Sequence, residues 1–127
     1  MSSVPQFIPS VSDADILRIV ARDFAADQHP SILEMIRSVT VREKPRVVAA
    51  CLKNAQGNLA KLNSELSNAV DYWREIISEA EYPNYIKKYG RLRTLSTDQV
   101  AEIIEKDKQQ YLAWFNGMVS DGARIDA

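Results

Sequence analysis

The stretch that decides the fold is residues 46–81, RVVAACLKNAQGNLAKLNSELSNAVDYWREIISEAE. Apolar residues recur in it at alternating intervals of four and three positions: Val48, Leu52, Ala55, Leu59, Leu62, Leu66, Ala69, Trp73, Ile76 and Ala80. This alternation places all of them on one face of an α-helix, whereas a strand would turn half of them toward water. The pattern predicts one long amphipathic helix over 46–81, roughly 54 Å in length. Gly57 falls on its outward face, where glycine costs about 1 kcal/mol relative to alanine.

The residues beside this stripe predict how the helix is used. A dimeric coiled coil usually carries opposite charges there, but Val70, Tyr72 and Ile77 are apolar. Apolar flanks are typical of a helix packed by neighbours on both sides. We therefore predict an all-α fold, a small helical bundle around one long central helix, with an open dimer seam as the alternative. A dimer through the polar flank stays open as well, with these residues at its centre: Asn54, Asn58 and Lys61.

Local signals predict the other elements. Ser12 is expected to cap a first helix that runs to about Ala26, and Pro30 to open a short second helix that ends near Ser38. The long helix should begin near Glu43 to Pro45, because a proline deeper inside would remove a needed N–H. Residues 83–90 should form one or two turns. Ser96 and Gln99 form a capping box for the last helix, whose apolar stripe Asp107 interrupts.

Length and composition predict a single helical domain over residues 1–127, with an N-terminal arm (1–11) lying on the core and a mobile tail (120–127). The net charge of −1 gives no global attraction to nucleic acid or to acidic membranes. The single Cys51 suits a reducing compartment. No signal-peptide pattern and no apolar run of membrane-spanning length occur, so we expect a cytoplasmic protein that does not bind membranes.

The run from Asp71 to Pro83, DYWREIISEAEYP, resembles one in short, uncharacterised bacterial all-helical proteins that share a D-x-W, Arg-containing stretch ending in AEYP. The resemblance covers about a tenth of the chain. It implies a helical fold and a bacterial origin. Those proteins have no known activity, so it implies no function.

Catalytic and metal chemistry find little support in the sequence. His29 is the only histidine and Cys51 the only thiol, so neither a two-histidine nor a two-cysteine metal site can form in one chain. We expect His29 to be a cap or surface residue and Cys51 a buried, inert thiol. The acidic ladder of Asp71, Glu75 and Glu79 is expected to be a solvated face. We therefore predict no enzyme, no cofactor and no metal site.

Aromatic residues suggest a second part of the core. Five of them recur at helical spacing, and we expect them to pack together at one end of the bundle. They are Tyr72, Trp73, Tyr111, Trp114 and Phe115.

The most unusual segment is Tyr82 to Arg93, in which basic residues alternate with tyrosines. Such a mixture can contact phosphates and stack on bases, although a solvated connector is the favoured interpretation. The candidate binding residues are Tyr85, Lys87, Lys88, Tyr89, Arg91 and Arg93. We predict a non-enzymatic protein-interaction or regulatory module whose partner is a protein, a second copy of the chain included. Binding of nucleic acid or another polyanion through this segment is the less favoured alternative.

Overall fold

The computed structural model describes residues 7–88 and 94–117, and within these ranges the chain forms only helices, turns and connecting segments. The α-helices are α1 (Asp13–Asp23), α2 (His29–Ser38), α3 (Lys44–Ala55), α4 (Leu59–Glu81), α5 (Pro83–Lys87) and α6 (Thr97–Phe115). A 3-10 turn, Ala26–Gln28, precedes α2. The prediction of an all-α bundle with one long helix is confirmed, because α4 packs with other helices and buries Leu62, Leu66 and Ala69.

Contacts divide the chain into two compact units. The first is Pro9–Ala80, in which α1 packs against α2 and α3. The second combines Met1–Ile8 with Glu81–Ala127, and in its described part α5 packs against α6. The single-domain prediction stays a prediction, and the tail over 120–127 lies outside the described residues.

Helix starts follow the predicted local chemistry. The Ser12 hydroxyl accepts the Asp15 N–H at 3.1 Å while the Asp15 carboxylate accepts the Ser12 N–H at 3.0 Å. Ser96 and Gln99 form the same reciprocal pair at 3.1 and 2.8 Å. Each pair satisfies two backbone donors that a helix N-terminus otherwise leaves free. Both predicted caps are confirmed.

The prediction of one unbroken helix over 46–81 is wrong at residues 56–58 and at Tyr72, whose backbone angles are not helical. Gln56 and Gly57 both have left-handed backbone angles, with φ of 51° and 79°. The Asn58 side chain then accepts the Lys61 N–H at 2.8 Å and caps a new helix, α4. Gln56 is the C-cap of α3, and Gly57 lies in the turn after it rather than on an outward helical face. Glycine adopts the positive φ of this turn without steric cost.

The apolar stripe is nevertheless buried on both sides of this turn. Eight of its ten residues are buried, and the remaining two, Leu59 and Trp73, are half-buried. α3 is buried beyond the stripe as well, which marks it as a core helix. Its buried residues are Val47, Val48, Ala49, Ala50, Cys51, Leu52, Asn54 and Ala55.

Asn54 corrects a second expectation. Its side-chain amide donates to Glu65 Oε1 at 3.1 Å and to the Ile76 carbonyl at 3.2 Å. A straight helix would separate residues 54 and 76 by roughly 33 Å, so the chain reverses between them. Asn54 lies inside the first unit and is not on the polar flank proposed for a dimer.

Aromatic side chains form the core of the second unit, but the predicted cluster is only partly correct. The fully buried Tyr111 ring stacks on Phe115 at a centroid distance of 5.8 Å and meets Trp114 edge-on at 5.4 Å. Phe7 meets the same ring at a centroid distance of 5.7 Å. Tyr72 does not belong to this core, because it lies in the first unit and is exposed.

Candidate functional site

The first unit carries a surface feature that begins at a kink in α4. Tyr72 has φ −124° and ψ 34°, which are not helical values, and the helix resumes after it. The side chains of Val70 and Tyr72 are left 57% and 56% exposed. Apolar flanks of the stripe predict burial at both positions, so the exposure of these two side chains differs from the expectation.

A shallow groove lies beside the exposed Val70. It encloses about 430 Å³, and half-buried Trp73 and Val41 supply much of its apolar lining. We call this groove the kink surface; it consists of Thr40, Val41, Arg42, Val70 and Trp73, and the exposed Tyr72 adjoins it in the chain. Two separate chain segments, the α2–α3 connection and α4, therefore build it.

Positively and negatively charged residues occur in the kink surface or beside it in the chain. The Arg74 guanidinium carbon lies 4.9 Å from the Trp73 ring centroid, in a cation–π contact. Arg42 is exposed and makes no ion pair within the part of the chain that the structure describes. Asp71 and Glu75, which neighbour Tyr72 and Arg74 in the chain, are also exposed.

The basic-tyrosine segment predicted from sequence is only partly described. Lys87 and Lys88 are exposed at the end of α5, and Tyr85 is half-buried. Tyr89, Arg91 and Arg93 lie outside the described residues. The Tyr82 hydroxyl donates to the Phe7 carbonyl, and its ring meets that of Tyr85 edge-on at 6.3 Å. Tyr82 and Tyr85 therefore pack within the second unit.

Asp107 holds the start of α5 in place, a role that the sequence did not predict. Its buried carboxylate accepts the Asn84 N–H and the Asn84 side-chain amide at 2.9 Å on one oxygen, and the Tyr85 N–H at 3.0 Å on the other. These backbone donors would otherwise be free at the helix N-terminus. The only signal in the sequence was that an aspartate interrupts an apolar stripe. That signal does not show which groups its carboxylate binds.

A second groove lies between α2 and the start of α4, with a volume of about 750 Å³. Its larger apolar side chains, Met35 and Leu59, are half-buried, and its other lining residues are mostly small or polar. None of its lining residues is a strongly exposed large apolar side chain like Val70, so the kink surface is the better candidate for binding.

The residues considered for catalysis have structural surroundings. Burial, with a smaller contribution from the Glu65 charge, raises the pKa of the Cys51 thiol to about 12. A thiol in that state is a poor nucleophile, as predicted. The His29 Nε2 lies 2.8 Å from the Phe24 carbonyl oxygen, so it carries the proton and donates to it.

The acidic ladder is exposed, as predicted for a solvated face. Across residues 7–88 and 94–117, no three His, Cys, Asp or Glu side chains are grouped so as to hold a metal ion. None of the helices in these ranges combines the length and apolar character needed to cross a membrane.

Comparisons with protein-family models, with curated proteins and with solved structures gave no match to this chain. The resemblance of the DYWREIISEAEYP run to bacterial helical proteins therefore stays a prediction.

Proposed function

We propose that the protein is a non-enzymatic interaction module that binds a protein partner through the kink surface. The observation that carries the proposal is the exposure of Val70, a large apolar side chain, on a groove that Val41 and Trp73 also line. Apolar side chains clustered at the surface of a small protein commonly mark an interaction site. Aromatic and arginine side chains, here Trp73 and Arg42, are enriched where such interfaces are strongest.

The two groups best suited to catalysis support a non-enzymatic role. Cys51 is enclosed in α3 with a pKa of about 12, and the His29 Nε2 is engaged by a backbone carbonyl. General-base or nucleophilic catalysis needs such a group beside a substrate. The proposal includes a cytoplasmic location, for which the lone, unpaired cysteine is the supporting observation.

Photo-crosslinking in the source cell tests the proposal. A benzophenone amino acid at position 72 should yield a covalent adduct with a partner protein, because this exposed position is two residues from the groove residue Val70. The same group at position 17 is the matched control, since Leu17 is 53% exposed on α1. The Val70→Glu substitution should abolish the adduct at position 72. Equal adduct yields at positions 72 and 17, or no adduct at either, would contradict the proposal.

A second proposal, polyanion binding, is supported by the exposure of Lys87 and Lys88. Four phosphate contacts from the basic-tyrosine segment on duplex DNA would give a slope of about −3.6 in log K against log salt. Fluorescence anisotropy of an oligonucleotide at low and moderate salt measures this slope. Replacing Lys87, Lys88 and Arg91 with alanine should remove binding, whereas Lys106→Ala on α6 should not. Unchanged binding in the triple variant, or no binding of the wild type at low salt, would exclude this segment.

A further inference from the structure

We propose that Asn116 is a site of spontaneous deamidation, which gives the end of α6 a carboxylate that the encoded sequence lacks. Six asparagines occur in the chain, and Asn116 is the only one followed by glycine. Deamidation begins when the backbone nitrogen of the next residue attacks the side-chain carbonyl carbon of the asparagine. Gly117 has no Cβ to shield its nitrogen, so this attack is least hindered at Asn116. Neither residue lines the kink surface, so the inference is independent of the proposed function.

The reaction needs only water as a co-reactant. A bond forms between the Gly117 nitrogen and Asn116 Cγ, the Cγ–Nδ2 bond breaks, and the amide group leaves as ammonia with the proton of the Gly117 nitrogen. Water then opens the five-membered imide at either carbonyl and leaves an aspartate or an isoaspartate at position 116. An OH group replaces an NH2 group, so the mass rises by one dalton. Because the new carboxyl group ionises below neutral pH, the formal charge of −1 becomes more negative by one.

The turn that ends α6 sets the rate of this reaction. Asn116 and Gly117 are both exposed, and the Gly117 N–H donates to the Trp114 carbonyl at 3.1 Å. With ψ of −1° at Asn116, the Gly117 nitrogen eclipses the Asn116 nitrogen instead of Cβ, so the turn must open before the attack. Opening uncovers little apolar surface, because both residues are already exposed. We therefore expect the native protein to react, but more slowly than the unfolded chain.

Two other exposed asparagines provide internal controls. Asn63 and Asn68 lie within α4, and the residues that follow them, Ser64 and Ala69, carry a Cβ. Opening the backbone there would break helical hydrogen bonds on both sides and uncover buried side chains of α4. Asn116 should therefore be modified at least about tenfold faster than either control asparagine.

Mass spectrometry of the full chain, sampled during incubation at mildly alkaline pH, tests the proposal. The one-dalton shift should accumulate at residue 116, as located by fragmentation of its peptide. It should appear there faster than at positions 63 and 68, and more slowly than in the chain unfolded by guanidinium chloride. A sample digested before the incubation corrects for deamidation during digestion.

Gly117→Ala supplies the matched variant. The added Cβ shields the nitrogen, so the shift at residue 116 should appear at least about tenfold more slowly. Alanine is strained at φ 79°, so the variant weakens the turn, and a slower reaction cannot come from better protection of the site. Repeating the comparison in guanidinium chloride makes it independent of the stability of the variant. An unmodified residue 116 once the unfolded chain has reacted, equal rates at positions 116 and 63, or equal rates in the wild type and Gly117→Ala would overturn the proposal.

Discussion

Asn54 is the clearest case of a single polar residue that the packing of the first unit requires. Its buried amide donates to Glu65 and to the Ile76 carbonyl, which lie 11 and 22 positions further along the chain. Asn54→Ala removes both hydrogen bonds, so we expect a loss of about 1–3 kcal/mol in the free energy of unfolding. Ser64→Ala, at an exposed position of α4, should change it by less than about 0.5 kcal/mol. Urea unfolding measures both, and equal losses would contradict the role of Asn54.

Asp107 has a comparable role in the second unit. Replacing it with alanine leaves the N–H groups of Asn84 and Tyr85 without their acceptor, so we expect a loss of roughly 2–4 kcal/mol. Amide hydrogen exchange provides a local measurement, in which the Asn84 and Tyr85 amides should exchange much faster in the variant. Glu105→Ala, at an exposed position of the same helix, is the control. Unchanged exchange at residues 84 and 85 would show that α5 does not depend on this carboxylate.

The sequence predicted the roles of those individual residues whose hydrogen-bond partners are close in the chain. Ser12 and Ser96 were identified as caps because each bonds a residue three positions away, within one recognisable motif. The partners of Asn54 and Asp107 become neighbours only after the chain reverses direction. No local pattern contains that information, so the sequence placed Asn54 on a polar flank and described Asp107 only as an interruption.

The effect of Gly57→Ala on stability should have opposite signs in an unbroken helix and in the turn between α3 and α4. In an unbroken helix, Gly57→Ala would stabilise the protein by about 1 kcal/mol through helix propensity. In the observed turn, alanine would have to adopt φ 79°, and its Cβ would lie 3.2 Å from the Asp23 carbonyl oxygen. We therefore expect Gly57→Ala to destabilise the protein by about 1 kcal/mol or more. Thermal unfolding supplies the measurement.

The neighbouring residue provides the matched control. Gln56 also has positive φ, so Gln56→Gly relieves steric strain and should be neutral or slightly stabilising. In an unbroken helix the same change would cost about 1 kcal/mol. Stabilisation by Gly57→Ala together with destabilisation by Gln56→Gly would contradict the turn.

The apolar periodicity predicted burial better than it predicted the path of the chain. An apolar stripe shows which face of each helix packs against the core. A short turn between two helices can leave the spacing of these apolar positions unchanged. Gly57 followed by Asn58 is typical of a place where one helix ends and the next begins. Because Gly57 also fits the outward face of a single helix, the sequence was equally consistent with an unbroken helix. The kink at Tyr72 has no proline or glycine beside it, so no sequence signal predicted the kink. The exposure of Val70 and Tyr72 was not predicted either, because apolar flanks indicate burial.

For the whole molecule, Cys51 links stability to pH. The unfolded thiol ionises near its ordinary pKa of 9.0, whereas in the folded protein burial raises the pKa to about 12. The unfolded state therefore loses its proton first, and the free energy of unfolding should fall as pH rises through this window, by up to about 1.4 kcal/mol per pH unit. Urea unfolding at several pH values should show a shallower fall in Cys51→Ala. Equal slopes in the two proteins would contradict the raised pKa.

The kink surface depends on the reversal of the chain between Asn54 and Ile76, because residues of α4 and of the α2–α3 connection line it together. Spin labels at Lys53 and Glu75 test this reversal directly through their separation in double electron–electron resonance. The Asn54 side chain contacts the Ile76 backbone, and each label is one residue away from this contact. Because neighbouring Cα atoms are about 3.8 Å apart, we expect the two labels to be about 10–20 Å apart. An unbroken helix would place the labels roughly 33 Å apart, and that distance would contradict the fold and the surface built on it.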